Sequence, residues 1–69
     1  MNDIPNSIIS KAIDEWIHHE RNRKILKRRL VDGVLFEVIA EEFDISVQQT
    51  KNIVRKGKEI VFKHTEDVK

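Results

Sequence analysis

Between residues 47 and 59, hydrogen-bonding amides alternate with cations at helical spacing: Gln48, Lys51, Asn52, Arg55 and Lys58. These are the groups that pair with base edges and phosphates in a DNA major groove wide enough to admit a helix. At about 100° per residue they share one arc with Glu59. Thr50, Ile53, Val54, Gly57, Ile60 and Val61 fall on the opposite arc, with Val47 at its edge. One face is therefore expected to pack, while the other is free to touch a partner.

Other chemistries find no support in residue type and spacing. His18 and His19 project about 100° apart on a helix, no third ligand sits at i+4, and His64 lies far along the chain, so no metal site is expected. Asp14/Glu15 and Glu41/Glu42 are adjacent in sequence, and neighbours on a helix do not face each other as an acid–base dyad would. Ser7 and Ser46 are explained as helix caps, and Gly33 and Gly57 alone cannot build a phosphate-binding loop. No catalytic residue and no cofactor is expected, and the chain is not read as an enzyme.

The polar face needs elements to hold it. Phe36, Ile39, Ala40 and Phe43 stand at i, i+3, i+4 and i+7, one face of a short helix. The pattern stops at Asp44, Ile45 plugs a turn, and Ser46 with Gln49 three residues on forms a capping box that opens the next helix. Thr50, Gly57 and Ala40 are small, which suggests that these two helices cross closely. Upstream, Pro5 stands in the first turn of an opening helix with Asn6 or Ser7 as its cap, and Ile9, Ala12, Ile13, Trp16 and Ile17 form an apolar stripe through about His19. Trp16 is assigned to the core, its alternative being a partner or dimer contact. In the next segment Ile25, Leu26 and Leu30 face inward, with Arg21, Lys24, Lys27 and Arg28 outward and Gly33 as a helix stop. Whether His18 and His19 lie in a loop or continue one long helix is open from the pattern. The expected fold is an all-α, compact four-helix domain containing a helix-turn-helix at about residues 35–58, with a frayed tail from His64.

The stretch Ile39-Ala40-Glu41-Glu42-Phe43-Asp44-Ile45-Ser46-Val47 resembles the helix-turn-helix core of bacterial regulators. Arg28-Arg29-Leu30-Val31-Asp32-Gly33 is similar to what precedes that core in region 4 of sigma-70 type factors. The resemblance runs from about Arg23 to Ile60. It implies that the helix matching Val47 to Lys58 enters the major groove of a promoter element, with Gln48, Gln49, Lys51, Asn52 and Arg55 as readers. Two positions depart from the family pattern. Asp44 stands where Gly is common, a substitution that the left-handed conformation tolerates better in Asp than in most residues, and Thr50 stands where a larger aliphatic residue is usual. The other regions of a sigma factor lie outside these residues, so polymerase-directed initiation is not implied. Similar small proteins occur in phages and mobile elements, which sets the expected context.

Sixty-nine residues make one domain, small enough that a single core contributes only about 3–5 kcal/mol unless its helices pack well or the chain oligomerises. Cys is absent, which removes disulfides and thiolate metal sites. No apolar run approaches the ~20 residues of a membrane span and the start lacks the order of a signal peptide, so a cytoplasmic protein without membrane contact is expected. Net charge is +1, distributed as −2 over residues 1–19, +4 over 20–33, −4 over 34–46 and +3 over 47–69. Such patches can steer a polyanion even when the total is near zero.

The function read from these features is sequence-specific binding of double-stranded DNA by a transcriptional regulator. Ser46 and backbone amides would sit on phosphate, Gln48, Gln49 and Asn52 on base edges, and Lys51, Arg55, Lys58 and Arg28 on bases or backbone. The alternative is a helical protein-interaction module docking on RNA polymerase, a sigma factor or a phage protein through the acidic helix of Glu37, Glu41 and Glu42. A single reading helix has a small footprint, so useful specificity would call for a homodimer or a fused partner, the sequence leaving oligomeric state open, with the first helix as the candidate dimer surface. If the two central helices cross closely, Ala40→Leu will damage the fold, read as a lower midpoint of urea unfolding.

Overall fold

The computed structural model describes residues 4–65. Helix α1 runs over Asn6–Trp16 and is opened by Pro5, whose carbonyl accepts from the amides of Ile8 at 3.0 Å and Ile9 at 3.1 Å. Proline's fixed φ, here −58°, already suits the start of a helix. Asn6 and Ser7 consequently lie inside the first turn, and neither caps it as the sequence suggested.

The helix ends at Trp16, earlier than the stripe through His19 implied. Ile17 is extended (φ −105°, ψ 110°), although its amide still donates to the Ile13 carbonyl. Arg23 explains how the chain can break here, since its Nη1 donates to the carbonyls of Ile17 at 3.0 Å and His18 at 3.2 Å. His18 and His19 therefore belong to a connection, and the His19 carbonyl opens α2, Glu20–Leu26, by accepting from the Arg23 amide.

Helix α2 continues into a π-helical turn over Lys27–Val31. Its bonds close one residue wider than an α-turn, as in the donation from the Asp32 amide to the Lys27 carbonyl at 3.1 Å. Gly33 ends it at φ +70°, a backbone conformation that a residue with a Cβ rarely adopts. The Val34 amide then reaches back to the Arg28 carbonyl at 3.0 Å, and Arg29 Nη1 donates to the Val34 carbonyl at 3.1 Å. Helix α3, Phe36–Phe43, and helix α4, Val47–Thr65, complete an all-α domain of four helices.

Ile13, Ile25, Leu26, Ile39 and Val61 are fully buried, so every helix contributes to one core. Helix α4 is the surface the others share: Thr50, Val54, Gly57, Val61 and Thr65 recur every three or four residues on its buried side. Its 19 residues span about 28 Å at helical rise, the longest element among the described residues. Among the described residues no buried side-chain polar atom lacks a partner, and no helix is long and apolar enough to cross a membrane.

Several expectations give way to tertiary placement. Trp16 is 45% exposed and stacks on His64 with ring centroids 3.6 Å apart, while Ile17 takes the buried place beside it. Ile60, expected in the packed arc, is 41% exposed. Gly57 does make a close approach, but to Leu26 of α2 and not to α3. The α1 stripe proposed as a dimer surface is spent inside the monomer, with Ile9, Ala12, Ile13 and Ile17 all buried. His64 and Thr65 are helical, Thr65 being buried with its hydroxyl donating to the Phe62 carbonyl at 3.0 Å. The remainder of the expected frayed tail, 66–69, lies outside the described residues.

A Cβ at Gly57 would stand 2.7 Å from Leu26 Cδ2 and 3.0 Å from its Cγ, and Leu26 is fully buried. Gly57→Val is expected to lower unfolding free energy by about 1–3 kcal/mol. Leu26→Ala in the same chain should return part of that loss, so a urea-unfolding double-mutant cycle should give a non-additive total.

Candidate nucleic-acid interface

Local backbone chemistry sets the direction of α4. Asp44 adopts the left-handed conformation (φ 55°, ψ 46°) at the end of α3. Its amide donates to the Glu41 carbonyl at 3.3 Å and that of Ile45 to the Ala40 carbonyl at 3.0 Å. This pair of bonds is the Schellman arrangement, which satisfies carbonyls the ending helix would leave unpaired. Two residues later Ser46 Oγ accepts from the Gln49 amide at 3.0 Å and starts α4. Only this half of the expected capping box is formed, because the exposed Gln49 side chain makes no bond back to the Ser46 amide. Thr50, fully buried, donates its hydroxyl to the Ser46 carbonyl at 2.9 Å, so a polar residue fits the crossing at no loss of hydrogen bonding.

The outward face of α4 carries the polar residues as a connected set. Asn52 Oδ1 accepts from Gln48 Nε2 at 3.2 Å and from Arg55 Nη2 at 3.1 Å. Gln48 and Arg55 are exposed and Asn52 is half-buried, so the carboxamide in the middle orients the two longer side chains beside it. Lys51, Lys56 and Lys58 are exposed on the same helix, and Val47 to Lys58 contains four cations and no carboxylate. Ser46 is exposed at the N-terminal end of this face; its oxygen caps the helix, which leaves its own proton free to donate.

Arg28 is placed differently from the other candidates. Its Nε donates to Glu42 Oε1 at 3.0 Å, its Nη2 bonds Glu42 Oε2, and its Nη1 lies 3.8 Å from Asp32 Oδ2. The bidentate pair fastens the π-turn to the end of α3 and engages the Nε–Nη2 edge of the guanidinium with a carboxylate. The neighbouring Arg29 was not singled out by sequence. Its guanidinium carbon lies 4.2 Å from the centroid of Phe36, with Lys51 Nζ at 5.9 Å from the same ring. Phe36 thus gathers a cation from the π-turn and one from α4 at one corner, within the range of cation–π attraction. An aromatic residue opening α3 seven residues after an arginine was the available signal, but the wider π-turn made the pairing unreadable.

His18, His19 and His64 do not converge with carboxylates, and among the described residues no group of three or more metal-ligating side chains comes together. Comparison of the chain with protein-family models, with curated proteins and with solved structures finds no match. The site must accordingly be understood from its own geometry.

Glu42 is held below the usual carboxylate range chiefly by its hydrogen bonds from Arg28; desolvation opposes this, and the attraction of the Arg28 charge adds a lesser lowering. A carboxyl whose folded value is depressed contributes stability above its unfolded value and loses it as pH falls through the folded one. Wild type is therefore expected to lose stability more steeply than Glu42→Gln as pH drops below the ordinary carboxylate range. Urea unfolding at stepped pH checks this, and parallel curves for the two proteins would remove Glu42 as the source.

Proposed function

We propose that this protein binds double-stranded DNA sequence-specifically through the outward face of α4, as a transcriptional regulator of the kind its sigma-70 region 4 resemblance suggests. The observation that carries the reading is the Gln48–Asn52–Arg55 cluster, three side chains linked through one oxygen on an exposed helix face, within a stretch, Val47 to Lys58, that has four cations and no acid. Carboxamides and guanidinium groups read base edges in the major groove by paired donors and acceptors, and lysines add affinity through phosphate. α3, the tight turn at Asp44 and α4 would act as a helix-turn-helix, with α4 as its reading helix.

Roles follow from position. Gln48, Gln49 and Asn52 would read bases, and Arg55 would contact a base or the backbone after leaving Asn52. Lys51 and Lys58 would lie on phosphate, with the Ser46 hydroxyl donating to phosphate at the start of the helix. Arg29 joins Lys51 in this proposal, whereas Arg28 has Glu42 as its partner. The function is binding and not catalysis.

A second reading, docking on another protein through α3, draws on Glu37 and Glu41, which are exposed and have no ion-pair partner among the described residues. Ionic strength separates the two. In the DNA reading, log affinity falls linearly with log salt, with a slope of about −0.9 per phosphate contacted.

Fluorescence anisotropy on duplexes selected from a random pool tests the proposal. Arg55→Ala should weaken binding to all sequences, and Gln48→Ala should reduce discrimination between the selected site and its variants by ~1–3 kcal/mol. Unchanged affinity and discrimination in both mutants would remove the assignment of α4 as the reader, and absence of any salt-sensitive binding would turn the reading toward the protein-docking alternative.

A further inference from the structure

Among the described residues, four large apolar side chains are substantially exposed, and they fall into two pairs of opposite electrostatic character. Leu35 (63% exposed) and Val38 (41%) lie one turn apart at the start of α3. The exposed carboxylates Glu37 and Glu41 stand on the same helix, and neither is engaged in an ion pair among the described residues. Trp16 (45%) and Ile60 (41%) border a groove of about 440 Å³ between α4 and the α1–α2 connection.

That groove has a distinctive lining. Leu26, Ile53 and Gly57 contribute to an apolar floor, while Lys56, His18 and His19 contribute to its polar part. Among the described residues no carboxylate lines it. The lining positions on α4 run from Gln49 to Ile60, which at helical rise is roughly 16 Å, whereas the eight residues of α3 span about 12 Å. The acidic, apolar face of α3 is thus short enough to lie within the groove, and it complements the groove in apolar character and, through Lys56, in sign of charge.

We infer that a second copy of this chain occupies the groove, seating Leu35 and Val38 of its α3 between Trp16 and Ile60 with Glu37 and Glu41 toward Lys56 and the two histidines. The contact is heterologous, because knob and groove are different surfaces of one molecule. Each bound copy still offers a free knob at one end and a free groove at the other, so assembly continues beyond a dimer unless it closes into a ring. The matched surface is small, which places the contact among weak, concentration-dependent associations. Gln49 and Asn52 also line the groove, so a seated copy covers part of the face proposed to read DNA, and the two contacts compete.

Sedimentation equilibrium of the full chain from about 10 μM to 1 mM at low salt tests it. The weight-average mass should climb from 8.2 kDa past that of a dimer and fall back as salt is added. Val38→Glu blocks the knob and Ile60→Glu blocks the groove, so each alone should weaken association by more than about tenfold. An equimolar mixture of the two should recover a complex that stops at two chains, since one partner retains the only working knob and the other the only working groove. Helicity by circular dichroism confirms that each variant is folded. Should either fail to fold, Glu41→Lys and Lys56→Glu replace them: each should be monomeric alone, and their mixture should associate beyond a pair, because the exchanged charges restore both contacts. A wild-type mass that stays at one chain throughout overturns the inference, as do variants that associate like wild type and a mixture that remains monomeric.

Discussion

Thr50, Val54, Gly57, Val61 and Thr65 line one side of α4, and the burial of that line is the constraint on which the remaining helices depend. α1, α2 and α3 each rest against it, so the only long helix in the domain acts as scaffold on one side and as exposed polar surface on the other. Its two duties are separated by angle alone. Gly57 lets α2 come within contact of the backbone, and Thr50 buries a hydroxyl by returning it to the preceding turn. Neither residue contributes much apolar area, and both permit closeness that larger side chains would forbid.

What was legible in the sequence was local. Phe36, Ile39, Ala40 and Phe43 announce α3 by spacing, Asp44 announces a left-handed helix end, and Ser46 announces the next start, because each signal lies within a few residues of the feature it produces. The polar arc of α4 was readable for the same reason. Its linkage through Asn52 follows from i, i+3 and i, i+4 neighbours.

The misplaced residues were those whose surroundings come from distant parts of the chain. Trp16 fits an apolar stripe by phase, yet α1 ends beneath it and the ring lies at the rim against His64, a residue far away in sequence. Ile60 has the right phase for the packed arc but stands beside an open groove that no helix fills. Arg28 was grouped with the DNA-contacting cations because charge patterning cannot see that Glu42, fourteen residues on, arrives beside it. The exposed ion pairs made by Lys24 and Lys27 add little to stability by comparison with burial, so the fold rests on its apolar contacts and its helix ends.

The π-turn over Lys27–Val31 has a bearing on how this fold could be altered. A turn that accommodates one surplus residue works as a phase shifter: everything after it is rotated by about 100° relative to an uninterrupted α-helix. Removing a single residue there would restore regular helical bonding and at the same time swing Gly33 and the entry to α3 around the α2 axis. Arg28 would no longer point toward Glu42, nor Arg29 toward Phe36. The segment therefore behaves like a spacer of fixed length, and the angular setting of α3 and α4 is stored in its residue count.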